Sequence, residues 1–95
     1  ISGRRIVGCG TGEPPACGDV EFPDSVVVPG FIDMHVHGGG GASYTSADGI
    51  AGAAAFHRGH GTTSTLASLV TAGPSDLIAG VRALAEATRH GVVAG

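Results

Sequence analysis

The stretch FIDMHVHGGGG, residues 31–41, combines a short apolar run with two histidines and four consecutive glycines. Side chains on a β-strand point alternately to its two faces. If this stretch is a strand, one face carries its polar side chains: Asp33, His35 and His37. The opposite face carries its apolar side chains: Ile32, Met34 and Val36. We therefore predict a strand that packs its apolar face on a helix layer and turns a carboxylate and two imidazoles the other way.

The two histidines are candidate metal ligands. Burying a polar side chain without a hydrogen-bond partner is unfavourable, so these imidazoles need partners. Two imidazoles ~7 Å apart on one strand face can converge on one metal ion. They also lie at the carboxyl end of the strand, where parallel α/β folds place their active sites. Against this, a bare His-x-His triplet is frequent by chance and is usually a surface pair or a satisfied core pair.

From Pro29 onward the sequence alternates between strand and helix patterns. A helix is predicted from Ser46 to about His60, capped by Thr45 or Ser46. Its apolar face is predicted at helical spacing: Ile50, Ala53, Ala54 and His57. Residues 62–70 are β-branched and apolar, which favours a second strand parallel to and beside the first.

A second helix begins at Pro74-Ser75-Asp76 and stops at Gly91. The residues predicted on its inner face are Leu77, Val81, Leu84 and Thr88. Residues 92–94 begin a third strand, where the sequence ends. This order predicts a parallel α/β fold with right-handed connections, of which the sequence holds only the first βαβαβ part, residues 29–95.

Residues 1–28 have a different character, with short apolar stretches broken by glycine and proline. The stretches predicted as strands are 5–8, 19–22 and 25–28. Residues 1–28 are therefore expected to be part of a separate small β unit. The whole sequence of 95 residues holds 18 glycines and 42% hydrophobic residues, many of them alanine and valine. Small side chains bury little area each, so an isolated core would be thin.

Composition also excludes several function classes. The net charge is −3, with five arginines, no lysine and no basic run, so a nucleic-acid partner is not expected. The apolar runs are far shorter than a membrane span, and no signal-peptide pattern is present, so we expect a cytoplasmic protein with no membrane partner.

A resemblance sharpens this interpretation. The run Val28-Pro-Gly-Phe-Ile-Asp-Met-His-Val-His37 resembles the first barrel strand of the metal-dependent amidohydrolase superfamily. That resemblance implies a (β/α)8 TIM barrel with a small β-sandwich built from the chain termini. The glycines at 38–41, with His60-Gly-Thr-Thr-Ser64 and Leu69-Val-Thr71, further resemble the N-acetylglucosamine-6-phosphate deacetylase family.

The resemblance implies the site residues. His35 and His37 would bind a divalent metal ion, zinc or iron, with one or two ions per subunit. Asp33 would either orient an imidazole or make only a structural hydrogen bond. Gly38, Gly39, Gly40 and Gly41 would leave room at the mouth where substrate enters, or would be only a flexible connector. No general base can be assigned, because the family's remaining ligands and catalytic aspartate lie beyond residue 95.

The implied activity is deacetylation of N-acetylglucosamine 6-phosphate to glucosamine 6-phosphate and acetate, by a full-length homodimer. The 95 residues alone would be inactive, because a zinc-type site needs at least three protein ligands. Two alternatives stay open: an amidohydrolase of the dihydropyrimidinase or dihydroorotase type acting on a cyclic amide, and an inactive scaffold. The other histidines, His57, His60 and His90, are expected to be structural.

Overall fold

The computed structural model describes residues 1–12, 20 and 22–95. Its strands and helices follow one another as β1 (Phe31–Val36), β2 (Gly38–Gly39), β3 (Ala42–Ser43), α1 (Ala47–Gly59), β4 (Thr62–Ala67) and α2 (Pro74–Arg89). Within these described residues, neither helix is long and apolar enough to cross a membrane.

β1 and β4 form a parallel pair, as the sequence predicts. The register runs from Phe31 opposite Thr62 to Val36 opposite Ala67, with an irregularity after each of Phe31 and Asp33. Beyond the end of β4, the Ser68 amide still donates to the Val36 carbonyl at 2.8 Å. β4 is shorter than the predicted strand 62–70, but its pairing with β1 continues through Ser68.

α1 has the predicted cap and the predicted core face. The Ser46 hydroxyl accepts a hydrogen bond from the Gly49 amide at 3.3 Å, which satisfies one of the free N–H groups of the first turn. The residues buried on this helix are Ile50, Ala53 and Ala54. His57, one turn further along the same face, is half-buried.

α2 begins at Pro74, and its carboxyl end is closed by Gly91 in the left-handed region, with φ of +69°. The Val92 amide donates to the Ala87 carbonyl at 2.9 Å, and the Gly91 amide to the Thr88 carbonyl at 3.0 Å. This is the Schellman arrangement, which needs a residue that tolerates positive φ after the helix.

The predicted inner face of α2 is partly wrong. Leu84 is buried and Leu77 is half-buried, but Val81 is 58% exposed. Gly80 is buried instead, because the Leu69 side chain lies against it; a Cβ on Gly80 would be only 3.0 Å from Leu69 Cδ2. The absence of a side chain at position 80 lets the helix approach Leu69 there and leaves Val81 outside.

Residues 92–94, predicted as a third strand, do not form a regular strand. The segment nevertheless lies along β4: the Ala94 amide donates to the Thr65 carbonyl at 2.8 Å, and the Ala67 amide to the Gly95 carbonyl at 2.7 Å. The bonded positions advance together along both segments, as in a parallel pair. β4 is thus flanked by β1 on one side and by the chain end on the other.

The core lies where both helices, β4 and the residues after α2 meet. Its buried hydrophobic members are Tyr44, Ile50, Ala53, Ala54, Leu84 and Val93. Half of them are alanine or valine, in line with the composition. The mixed α/β class is confirmed by the parallel pair and the two helices, whereas closure into a barrel stays a prediction.

The expected packing of the apolar face of β1 is wrong. Ile32 and Met34, predicted to pack on a helix layer, are 70% and 73% exposed, because α1 packs against the β2–β3 hairpin, β4 and α2. Only Val36 of that face reaches the core.

The strands predicted at 5–8 and 25–28 are also not formed, and the side chains of both stretches are exposed. Among the described residues, neither stretch has a neighbouring strand to satisfy its backbone groups; the pairing present there is one bridge between Ser2 and Arg5. Of the predicted strand 19–22, Asp19 and Glu21 lie outside the described residues. The division of the chain at residue 28 into a small β unit and an α/β part stays a prediction.

Candidate active site

The structure brings the two histidines of the opening stretch together at the carboxyl end of the parallel pair. The ring centroids of His35 and His37 are 4.8 Å apart, with the rings nearly perpendicular at 86°. Both rings contact Ser68, the first residue after β4. His37 Nδ1 lies 2.8 Å from the Ser68 carbonyl oxygen, and His35 Nδ1 lies 3.1 Å from the Ser68 hydroxyl.

Ser68 was not among the residues singled out from sequence. The signal was present, because parallel strands end at the same edge of a sheet. A polar residue just beyond the second strand is therefore adjacent to polar residues at the end of the first. The predicted strand extends to residue 70, so it places Ser68 inside the strand and not just beyond its end.

Asp33 contacts the backbone of the histidine strand. Its Oδ1 accepts a hydrogen bond from the His35 amide at 3.2 Å. This contact restrains the strand just before the histidine pair, which is the structural alternative foreseen for this carboxylate. An effect of Asp33 on a metal ion stays a prediction.

Tyr44 lies in the core, with 1% of its surface exposed. Among the residues that the structure describes, its buried hydroxyl has no hydrogen-bond partner. Burial raises the pKa of the Tyr44 hydroxyl above its ordinary value of 10.0, and the negative charge of Asp33 raises it further. The hydroxyl is therefore a neutral group on the Asp33 side of the core.

The four glycines form a hairpin. β2 and β3 are its two short antiparallel strands, with Gly38 opposite Ser43 and Gly39 opposite Ala42. Gly40 and Gly41 make the turn with φ of +61° and +82°. A two-residue turn with positive φ at both positions is of type I′, which favours glycine at each.

This hairpin rests on α1. His57 Nε2 donates to the Gly38 carbonyl at 2.9 Å. A Cβ on Gly39 would lie 2.5 Å from His57 Nε2, and one on Gly40 would lie 2.7 Å from Phe56 Cδ2. Two of the glycines are thus required by contact with the helix. A role for the hairpin at the mouth of an active site stays a prediction.

A comparison with protein-family models shows which family this chain resembles. The model of the amidohydrolase family matches residues 26–95, a span that includes the histidine pair, the hairpin, both helices and Ser68. The chain belongs to the amidohydrolase family. No significant match was found among curated proteins or among solved structures. The activity that follows at this level is that of a hydrolase.

Amidohydrolases are generally metal-dependent, so the fit of the histidine pair to a metal ion can be tested on this chain. Each ring uses Nδ1 toward Ser68, and no other hydrogen bond of either ring is present among the described residues. Two imidazoles suit zinc and iron. Across residues 1–12, 20 and 22–95, no group of three or more His, Cys, Asp or Glu side chains could hold an ion. The pair therefore fits as two ligands of a larger set.

The remaining histidines of this amidohydrolase make other contacts. His60 caps α1 and donates from Nδ1 to the Phe56 carbonyl at 2.9 Å. His90 follows α2 and contacts Glu86 at 2.8 Å on the exposed surface. With His57 holding the hairpin, all three have the structural surroundings that the sequence predicts for them.

Proposed function

We propose that this amidohydrolase binds a divalent metal ion through His35 and His37 and deacetylates N-acetylglucosamine 6-phosphate, releasing glucosamine 6-phosphate and acetate. The observation that carries the metal site is the convergence of both imidazoles, 4.8 Å apart, at the carboxyl end of the parallel strands. The support for the sugar phosphate is the resemblance of residues 38–41 and 60–64 to the deacetylases. A soluble substrate of this kind agrees with a cytoplasmic enzyme that has no nucleic-acid or membrane partner.

The residues of this chain have binding and shaping roles in the proposed reaction. A bound divalent ion would polarise the acetamide carbonyl and activate a water molecule. His35 and His37 would hold that ion as neutral imidazoles. The hairpin that follows them presents four glycines, residues 38–41, so no side chain from those positions occupies the space beside the pair.

The proposal is tested on the intact protein, loaded with Zn²⁺ or Fe²⁺ after chelation. We expect release of acetate from N-acetylglucosamine 6-phosphate and little from N-acetylglucosamine, which lacks the phosphate. The double variant His35→Ala, His37→Ala should lose bound metal and turnover together, by at least about 100-fold in turnover, because removing ligands removes the activating ion. His90→Ala is the matched control, since this side chain is exposed and its hydrogen bond to a described residue goes to Glu86.

The outcomes separate the candidate functions. Ring opening of a dihydropyrimidine without deacetylation would support the cyclic-amide alternative. Unchanged metal content and turnover in the double variant would remove the histidine pair from the site. No hydrolysis of any of these substrates by metal-loaded protein would support the inactive scaffold.

A further inference from the structure

We infer that Ser68 is the positioning residue of the histidine pair, fixing both imidazoles so that each presents Nε2 to the metal ion; this inference rests on the proposed function. Each polar group of Ser68 contacts a different residue of the stretch 35–37. Its amide donates to the Val36 carbonyl at 2.8 Å, its carbonyl contacts His37, and its hydroxyl contacts His35. No other residue described contacts both imidazoles by hydrogen bonds.

The contact with His37 decides the tautomer of that ring. A backbone carbonyl can only accept a hydrogen bond, so the proton must be on His37 Nδ1, 2.8 Å away. A neutral imidazole with a proton on Nδ1 has its lone pair on Nε2. Nε2 is then the atom free to bind a metal ion, and the carbonyl fixes the orientation of the ring around it.

The contact with His35 works through a different atom. The Ser68 hydroxyl can donate or accept, so the 3.1 Å distance to His35 Nδ1 does not by itself set the tautomer. When the hydroxyl accepts from Nδ1–H, His35 also has its lone pair on Nε2, like His37. Both rings then offer the same atom, as a pair of ligands on one ion requires. The His35 contact depends on the side chain at position 68, whereas the His37 contact depends only on the backbone.

This difference makes the inference testable with an internal control. ¹⁵N NMR of metal-free intact protein reports which ring nitrogen carries the proton. We expect both His35 and His37 to be protonated on Nδ1. In Ser68→Ala, the His35 signals should move toward a mixture of tautomers while those of His37 stay in place. Ser68→Thr keeps a hydroxyl and should restore the His35 signals. Ser64→Ala removes a hydroxyl from β4 that makes no side-chain hydrogen bond to described residues, and it should change neither ring.

Metal affinity is the second measurement. Loss of a group that orients a metal ligand typically weakens binding by about 10- to 100-fold. We expect Ser68→Ala to weaken Zn²⁺ binding by that factor in the intact protein and Ser68→Thr to recover most of it. The His37 tautomer is read on the unsubstituted protein, so the inference can fail even if Ser68→Ala does not fold.

Three results would overturn the inference. His37 protonated on Nε2 in the unsubstituted protein would contradict the backbone contact. Unchanged His35 signals together with unchanged Zn²⁺ affinity in folded Ser68→Ala would remove the hydroxyl from the site. Either of these two results leaves the proposed function standing, provided that the unsubstituted protein binds Zn²⁺. If the unsubstituted protein binds no divalent ion, the proposed function and this inference fail together.

Discussion

At the scale of single residues, Tyr44 shows how one polar atom can cost stability inside a small core. Its ring is fully buried with Ile50, while its hydroxyl finds no partner among the described residues. A buried polar group without a hydrogen bond costs about 1–3 kcal/mol. The ring contributes apolar contact that phenylalanine would supply equally well.

We therefore expect Tyr44→Phe to raise the free energy of unfolding by about 1 kcal/mol at pH 7. Urea unfolding followed by circular dichroism measures this change. Ile50→Ala, which removes side-chain atoms from the same core, should instead lower the free energy of unfolding by about 2–5 kcal/mol. A loss of stability in Tyr44→Phe would show that the hydroxyl is hydrogen-bonded in solution.

The same substitution should change the response of stability to alkaline pH. Burial and the charge of Asp33 raise the pKa of Tyr44 in the folded protein above 10.0, its ordinary value. Above pH 10 the folded state therefore holds a proton that the unfolded state has lost, and stability falls as pH rises toward the folded pKa. Below pH 10 this group causes no such fall. In Tyr44→Phe, the free energy of unfolding should therefore fall less between pH 10 and higher pH than it does in the unsubstituted protein.

At the scale of elements, the contact between the glycine hairpin and α1 explains why the run has no side chains. Gly39 does not have a positive φ, so its backbone would accept any residue, and the restriction comes only from His57 and Phe56. Because His57 also holds the Gly38 carbonyl, its ring cannot move aside without breaking that bond. The hairpin and the helix are thus fitted to each other.

Gly39→Ala should lower the free energy of unfolding of the intact protein by about 1–3 kcal/mol, the usual cost of overpacking. Gly59→Ala is the control: a Cβ there meets nothing within 4 Å, and alanine in a helix is no worse than glycine. Combining Gly39→Ala with His57→Ala should cost less than the sum of the single changes, since the collision is then absent. Strict additivity in urea unfolding would place the cost elsewhere.

How far these elements follow from the sequence depends on whether the deciding contact is local. Ser46, Gly61 and Gly91 mark helix ends through hydrogen bonds to near neighbours, and α1 and α2 begin and end within two residues of their predicted bounds. The Gly40–Gly41 turn is equally local, since two adjacent glycines favour type I′, but the sequence prediction for residues 38–41 contains no hairpin. Gly80 could not be placed, since its burial depends on Leu69, a contact that periodicity along one helix does not show.

In the candidate site, too, the features set by local sequence could be predicted and those set by distant contacts could not. The strand period alone put His35 and His37 on one face, and the structure shows their rings in contact. Ser68, which contacts both rings, directly follows another strand, so its place beside them depends on where β4 ends.

At the scale of the whole molecule, the outer face of β1 is apolar and uncovered. Ile32 and Met34 are 70% and 73% exposed. Apolar surface on a sheet face promotes association with other apolar surfaces.

In the 95-residue chain, Ile32→Thr with Met34→Thr should lower binding of an apolar fluorescent dye and reduce self-association in sedimentation, while changing the free energy of unfolding by less than about 0.5 kcal/mol. A dye signal unaltered in the 95-residue chain would assign the exposed surface to other side chains, such as those of 26–28.

The contact between Ser68 and the histidines also sets an order of events during synthesis. Ser68 follows His37 by 31 residues and His35 by 33. At typical ribosomal rates of about 5–20 residues per second, the histidines wait roughly two to six seconds for the serine to be made. α1 and β4 must also form before the two segments can pair. Under the proposed function, the nascent histidines would bind the ion only weakly at first, and loading of the ion would be a late step that follows correct pairing of the sheet.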